Sequence, residues 1–87
     1  MYRITYAARV PKEDLPFIAK SARELIVRAI NQRLATAPLQ YGEALRYELT
    51  GYRRLRVSVY RIIYSVDEIA QVVKIHSIGH RSSIYEQ

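Results

Sequence analysis

The chain has 87 residues, 49% of them apolar, so it supports one domain with a single modest core, burying roughly 60% of its unfolded surface. It contains no cysteine, which excludes disulfides and thiolate metal sites. Fourteen Lys and Arg against eight Asp and Glu give a charge of +6, with Arg at eleven of the cationic positions; the guanidinium fork matches phosphate oxygens, so the balance points to a phosphate-rich or acidic partner.

The opening MYRITYAARVPKEDL has no long apolar run. Neither a signal peptide nor a membrane span is therefore expected, and the protein is read as cytoplasmic. YRITYAA (2–8) alternates Tyr2, Ile4 and Tyr6 with Arg3 and Thr5, the period of a strand. Pro11 opens a short helical turn, and Pro16 argues against a long helix there. Within 21–38, Ser21 and Glu24 have the spacing of a capping box. Ala22, Leu25, Ile26, Ala29, Ile30 and Leu34 recur at intervals of three and four, forming one apolar helical stripe. Arg23, Arg28 and Arg33 fall mostly off that stripe, either as a solvated face or as contacts for RNA phosphates.

Residues 39–51 read as irregular, punctuated by Gly42 and Gly51. Three strands follow, YRRLRV, YRIIYSV and AQVVKIHSI, joined at Ser58-Val59 and at Asp67-Glu68. A strand, two helices and a three-strand antiparallel meander predict an α+β fold, a single domain over 1–87 with the helices packed on one sheet face.

The first hairpin carries the sharpest signal. Strand alternation puts Arg54, Arg56 and Arg61 on one face and Leu55, Val57, Tyr60, Ile62 and Tyr64 on the other, the natural core face. Arg53 has the wrong parity for the charged face and is expected to splay out near the strand end. Ser-Val is a poor two-residue turn, lacking the Gly or Asn that positive φ favours. Like charges paired across strands destabilise a hairpin, and residues 50 to 66 hold no Asp or Glu. Local ion pairing is therefore not expected, and the arginine face reads as a phosphate site, with a merely solvated face as the alternative. The tail SIGHRSSIYEQ adds His80, Arg81 and Tyr85, which a returning fourth strand brings towards that face.

The two histidines could serve acid–base chemistry or a metal. His76 reads better as a strand residue, and two histidines without a carboxylate cluster make half a ligand set. No metal and no cofactor is expected. Of the tyrosines, Tyr2, Tyr6, Tyr60 and Tyr64 fit core faces, although any of the eight could stack on bases.

ELTGYRRLRVSVYRIIYSVD followed by IHSIGHRSSIY resembles the RelE branch of the RelE/ParE toxin superfamily. Its pattern runs Leu and Gly before R-x-R, then Y-R-[IV]-[IV]-Y, and later G-H-R with a tyrosine beyond. The resemblance implies a type II toxin–antitoxin toxin, an endoribonuclease (mRNA interferase) that cuts mRNA in the ribosomal A site and blocks translation. It implies catalytic roles for Arg54, Arg56, Arg61, Arg81 and Tyr85. From their charge, Arg53, Arg23, Arg28 and Arg33 are further candidates for RNA or phosphate binding. The resemblance also implies a RelB-like antitoxin with an acidic wrapping segment, and operator DNA bound only through the antitoxin complex. Relatives commonly have Lys at the positions of Arg54 and Arg56. Because Arg cannot act as a base, His80 is the conventional candidate here. Two rivals stay open: a ParE-type inhibitor of DNA gyrase, and a non-catalytic nucleic-acid-binding domain.

Overall fold

Alternating apolar residues in the C-terminal half build a sheet that the N-terminal helices cover. The computed structural model describes residues 1–84. The strands are β1 (Arg3–Tyr6), β2 (Glu43–Ala44), β3 (Arg53–Val57), β4 (Tyr60–Asp67) and β5 (Val72–His80), in the spatial order β1-β5-β4-β3-β2. β1 runs parallel to β5, and the other neighbours are antiparallel. The α+β class and the meander are as expected. β2 lies in the stretch that reads as irregular, and it pairs Glu43 with Arg54 and Ala44 with Arg53.

Between β1 and β2 the chain makes helical turns over Val10–Asp14 and Leu15–Phe17, then α1 (Lys20–Ala29), which continues as a wider turn over Ile30–Leu34. α1 begins one residue before Ser21. Its N-cap is Ala19, without a side-chain cap, so the Ser21–Glu24 spacing does not form the expected capping box. Ile26, Ala29, Ile30 and Leu34 of the predicted stripe are buried against Leu55, Val57, Ile62, Tyr64, Val73, Ile75 and Ile78 of the sheet. Leu25 departs from the stripe and is 44% exposed. Among the described residues, no helix is long and apolar enough to cross a membrane.

The β3–β4 loop is the two residues Ser58 and Val59, and the register pairs Val57 with Tyr60 and Arg56 with Arg61. Ser58 adopts φ +56°, the left-handed conformation more usual for Gly or Asn. That costs on the order of 1 kcal/mol, which the long ladder behind it offsets. At the second turn, Asp67 Oδ1 accepts the N–H groups of Ile69 and Ala70 at 3.1 and 3.0 Å.

Two buried polar contacts hold the sheet to its surroundings. β1 pairs with β5 only as far as Ile75, and beyond it the Ile78 N–H donates to Asp14 Oδ2 at 2.9 Å. The other Asp14 oxygen accepts Arg9 Nη2 at 3.0 Å. Across the sheet, the buried Tyr64 hydroxyl lies 2.7 Å from the Pro38 carbonyl oxygen and 2.9 Å from that of Tyr41. Gly42 must remain glycine beside it: its φ is +74°, and a Cβ would strike the Tyr64 hydroxyl and come within 2.8 Å of the Arg54 carbonyl oxygen.

Candidate nucleic-acid interface

The hairpin register decides which arginines share a surface. Leu55, Val57, Ile62 and Tyr64 are buried under the helices, so the intervening Arg54, Arg56 and Arg61 emerge on the opposite, outer face. Arg56 stands directly across from Arg61. Beyond Arg61 in the same row is Gly79 of β5, which presents no side chain. The short helix α2 (Arg81–Ile84) follows β5 directly, and the Arg81 N–H donates to the Val59 carbonyl at 2.8 Å. That bond ties the tail to the hairpin turn.

Electrostatics report the same convergence. Burial pushes the Arg61 guanidinium below its ordinary range, and the positive charges of Arg56, Arg81 and Arg54 push it further the same way. Arg61 Nη1 also donates to the carbonyl oxygens of Tyr60 and Ser58, at 3.1 and 3.3 Å, which fixes the side chain along the turn. Three further guanidinium groups, two from β3 and one from α2, thus act on Arg61.

A carboxylate joins them. Glu43 of β2 accepts Arg54 Nη2 at 2.6 Å and lies 3.5 Å from Arg56 Nη2. The hydrogen bond and charge of Arg54 hold Glu43 below the usual carboxylate range, with Arg56 and Arg61 pulling the same way and desolvation opposing. This corrects the expectation that the hairpin has no local ion pair. The acid comes from eleven positions upstream, on a strand too short to recognise by alternation.

Arg53 is also placed differently from the expectation. It does not splay outward but turns to the helix side, where Nε donates to the Tyr64 hydroxyl at 3.3 Å. Its Nη2 donates to the carbonyl oxygens of Leu39, Tyr41 and Gly42 at 3.1 to 3.4 Å. Its guanidinium therefore organises the 38–42 loop and is not part of the charged face. Arg23 and Arg28 border a shallow groove with Leu15, Val27 and Asn31 on the outer side of α1, so the sheet separates them from Arg54, Arg56 and Arg61. Arg33 is exposed on the turn that continues α1.

His80 ends β5 with its ring edge-to-face against Tyr60, centroids 6.0 Å apart. The Ser82 N–H donates to His80 Nδ1 at 3.2 Å, and Ser82 Oγ lies 2.9 Å from the same nitrogen. A backbone N–H can only donate, so the neutral ring carries its proton on Nε2. Accepting a proton at Nδ1 would therefore require releasing the Ser82 N–H. Tyr85 lies outside the described residues. Among the described residues, no group of three or more His, Cys, Asp or Glu is placed to hold a metal ion.

A family profile described as the ParE toxin of the type II toxin–antitoxin system parDE matches residues 2–85. Toxin RelG of Mycobacterium tuberculosis is 37% identical over 54 residues, covering 62% of each chain, so the match spans about six-tenths of that relative's length. A chain of the RelBE2 toxin–antitoxin complex of Mycobacterium tuberculosis superimposes with a TM-score of 0.86 at 28% identity, covering 92% of this chain and 98% of that one. A chain of the intact RelBE toxin–antitoxin complex of E. coli matches with a TM-score of 0.75 at 20% identity, over 92% and 96% of the two chains. That last likeness concerns the fold alone.

Proposed function

The chain belongs to the RelE/ParE superfamily of type II toxin–antitoxin toxins, in its RelE branch, and we propose that it is an endoribonuclease that cuts mRNA in the ribosomal A site. The observation that carries this reading is the placement of Arg56 opposite Arg61, with Arg54 and Arg81 within electrostatic reach.

RNA supplies its own nucleophile. The 2′-oxygen attacks the adjacent phosphorus, its proton passes to a base, and the bond to the 5′-oxygen breaks as that oxygen gains a proton. The products are a 2′,3′-cyclic phosphate, open to hydrolysis to a 3′-phosphate, and a 5′-hydroxyl. Negative charge builds on the phosphoryl oxygens during attack, and fixed guanidinium groups aimed there stabilise the phosphorane, usually the largest catalytic effect. Arg61 is suited to that work because its side chain is already held along the turn. Arg56 and Arg54 bind the same phosphate once Glu43 yields. Arg81 lies on the tail, where a donor to the departing 5′-oxygen would come from, and His80 is the candidate base. Tyr85 is assigned to orienting the nucleotide or assisting proton transfer.

The partner expected in the resting state is an antitoxin with an acidic segment that covers the arginine face, a reading supported by the charge of +6 and by relatives solved as toxin–antitoxin complexes. Operator DNA would be reached through that complex. The family profile names ParE, so a ParE-type block of DNA gyrase is the rival reading. The test is to add purified protein to ribosomes programmed with mRNA and an empty A site, map the cut ends, and assay gyrase supercoiling in parallel. Cuts confined to the A site with gyrase unaffected support the reading. Intact mRNA with inhibited gyrase replaces it with the rival.

A further inference from the structure

The outer sheet face continues past the arginines into an aromatic shelf. Tyr52 immediately precedes β3 and has the parity of Arg54 and Arg56, about 7 Å along the strand from Arg54. Its ring meets His76 of β5 edge to face, with centroids 4.8 Å apart and planes at 84°. His76 Nε2 in turn shares a 2.7 Å hydrogen bond with Ser65 Oγ of β4. Three segments of the sheet thus contribute one side chain each to a single cluster beside Arg54.

His76 reaches this face because the β4–β5 ladder is irregular. Ile63 pairs with Ser77 and Tyr64 with Ile75, leaving His76 as the extra residue on its strand. Burial first, and the Lys74 charge second, push its pKa below the ordinary histidine value, so the ring is a flat neutral aromatic at physiological pH. An edge-to-face pair leaves the faces of the upright ring uncovered by its partner. Tyr52, Ser65 and His76 are all half-buried, so the rings are held yet open to solvent on one side.

We propose that Tyr52, His76 and Ser65 form a nucleobase-binding shelf for the nucleotide next to the phosphate held by the arginines. This rests on the ribonuclease reading and adds a second point of contact to it. Proteins that grip single-stranded nucleic acid combine a basic track with aromatic rings, because every base has a stackable face whatever its sequence. Here the rings are fixed before the ligand arrives, which lowers the ordering cost of binding. The polar atoms of Ser65 and His76 beside the rings give the shelf a means of preferring one base edge over another.

The test is single-turnover cleavage of mRNA on programmed ribosomes as a function of protein concentration. Tyr52→Ala is expected to raise the half-saturating concentration about tenfold, the order of one lost base stack. The plateau rate should stay within about twofold, and Tyr52→Phe should behave as the parent. His76→Ala should raise half-saturation as well and change which codons are cut. Should Tyr52→Ala melt below the assay temperature, Tyr52→Leu keeps the apolar bulk and removes the ring. Parent-like half-saturation in Tyr52→Leu and His76→Ala overturns the shelf and leaves the ribonuclease standing. Absence of any cut by the parent protein overturns both.

Discussion

Glu43 Oε1 lies 2.6 Å from Arg54 Nη2, so a carboxylate of β2 sits on the guanidinium that we assign to phosphate. It also reaches Arg56, which makes it an internal competitor for any phosphate arriving at that pair. Glu43→Gln should therefore strengthen binding of a short RNA several-fold in fluorescence anisotropy, with little change in melting temperature. Because Arg54 holds the Glu43 pKa down, the carboxylate stays charged well into mild acid. The difference between parent and variant should persist at neutral pH and close only as the pH falls through that depressed value. Equal affinities at neutral pH would show that Glu43 does not compete.

Arg53 is adjacent to Arg54 in sequence but serves the other face. Arg53→Ala removes the donors to the Leu39, Tyr41 and Gly42 carbonyls and to the Tyr64 hydroxyl. The expected loss is about 2 kcal/mol of folding stability, read from urea denaturation. RNA affinity measured well below the melting temperature should change little. A large affinity loss with unchanged stability would return Arg53 to the phosphate-binding set.

Asp14 is 7% exposed and is the acceptor for the Ile78 N–H, 64 positions along the chain. Asp14→Ala leaves that N–H and Arg9 without their carboxylate, and should cost about 3 kcal/mol. Asp14→Asn keeps an oxygen for Ile78 and should cost less. Amide exchange at Ile78 is the local readout: it should accelerate more in the alanine variant than in the asparagine variant.

His76 makes stability pH-dependent. Its folded pKa is depressed, by burial first and Lys74 second, so the folded state holds fewer protons than the unfolded one in mild acid. The stability it contributes is complete above the unfolded pKa of about 6.5 and declines as pH falls below that value, levelling off under the folded pKa. Denaturation midpoints followed from pH 7.5 to pH 5 should fall in the parent and fall less in His76→Gln. Parallel curves for the two proteins would exclude His76 as the source.

Much of this architecture is written in short-range pattern. Alternation across 53–66 gives the hairpin register, the core face and the outward Arg54, Arg56 and Arg61, because parity is conserved along a strand whatever its surroundings. The apolar spacing of 22–34 gives α1, apart from Leu25. What escapes is whatever depends on distant pairing. Glu43 belongs to a two-residue strand that shows no alternation of its own. Asp14 reads as one more acid in a polar turn until β5 folds beside it. Arg53 has the parity of the core face, and only the returning 38–42 loop reveals carbonyls there for it to bind. The His76 bulge likewise breaks a period that the sequence otherwise keeps.

The most direct measurement is the single-turnover rate at which Arg61→Ala cuts mRNA on ribosomes with an empty A site, compared with the parent protein at saturating concentration. If the arginines of the outer face stabilise one phosphorane, the rate falls by about a hundredfold or more while the melting temperature and RNA affinity change little. A variant that cuts at the parental rate would place the chemistry away from this hairpin and contradict the account.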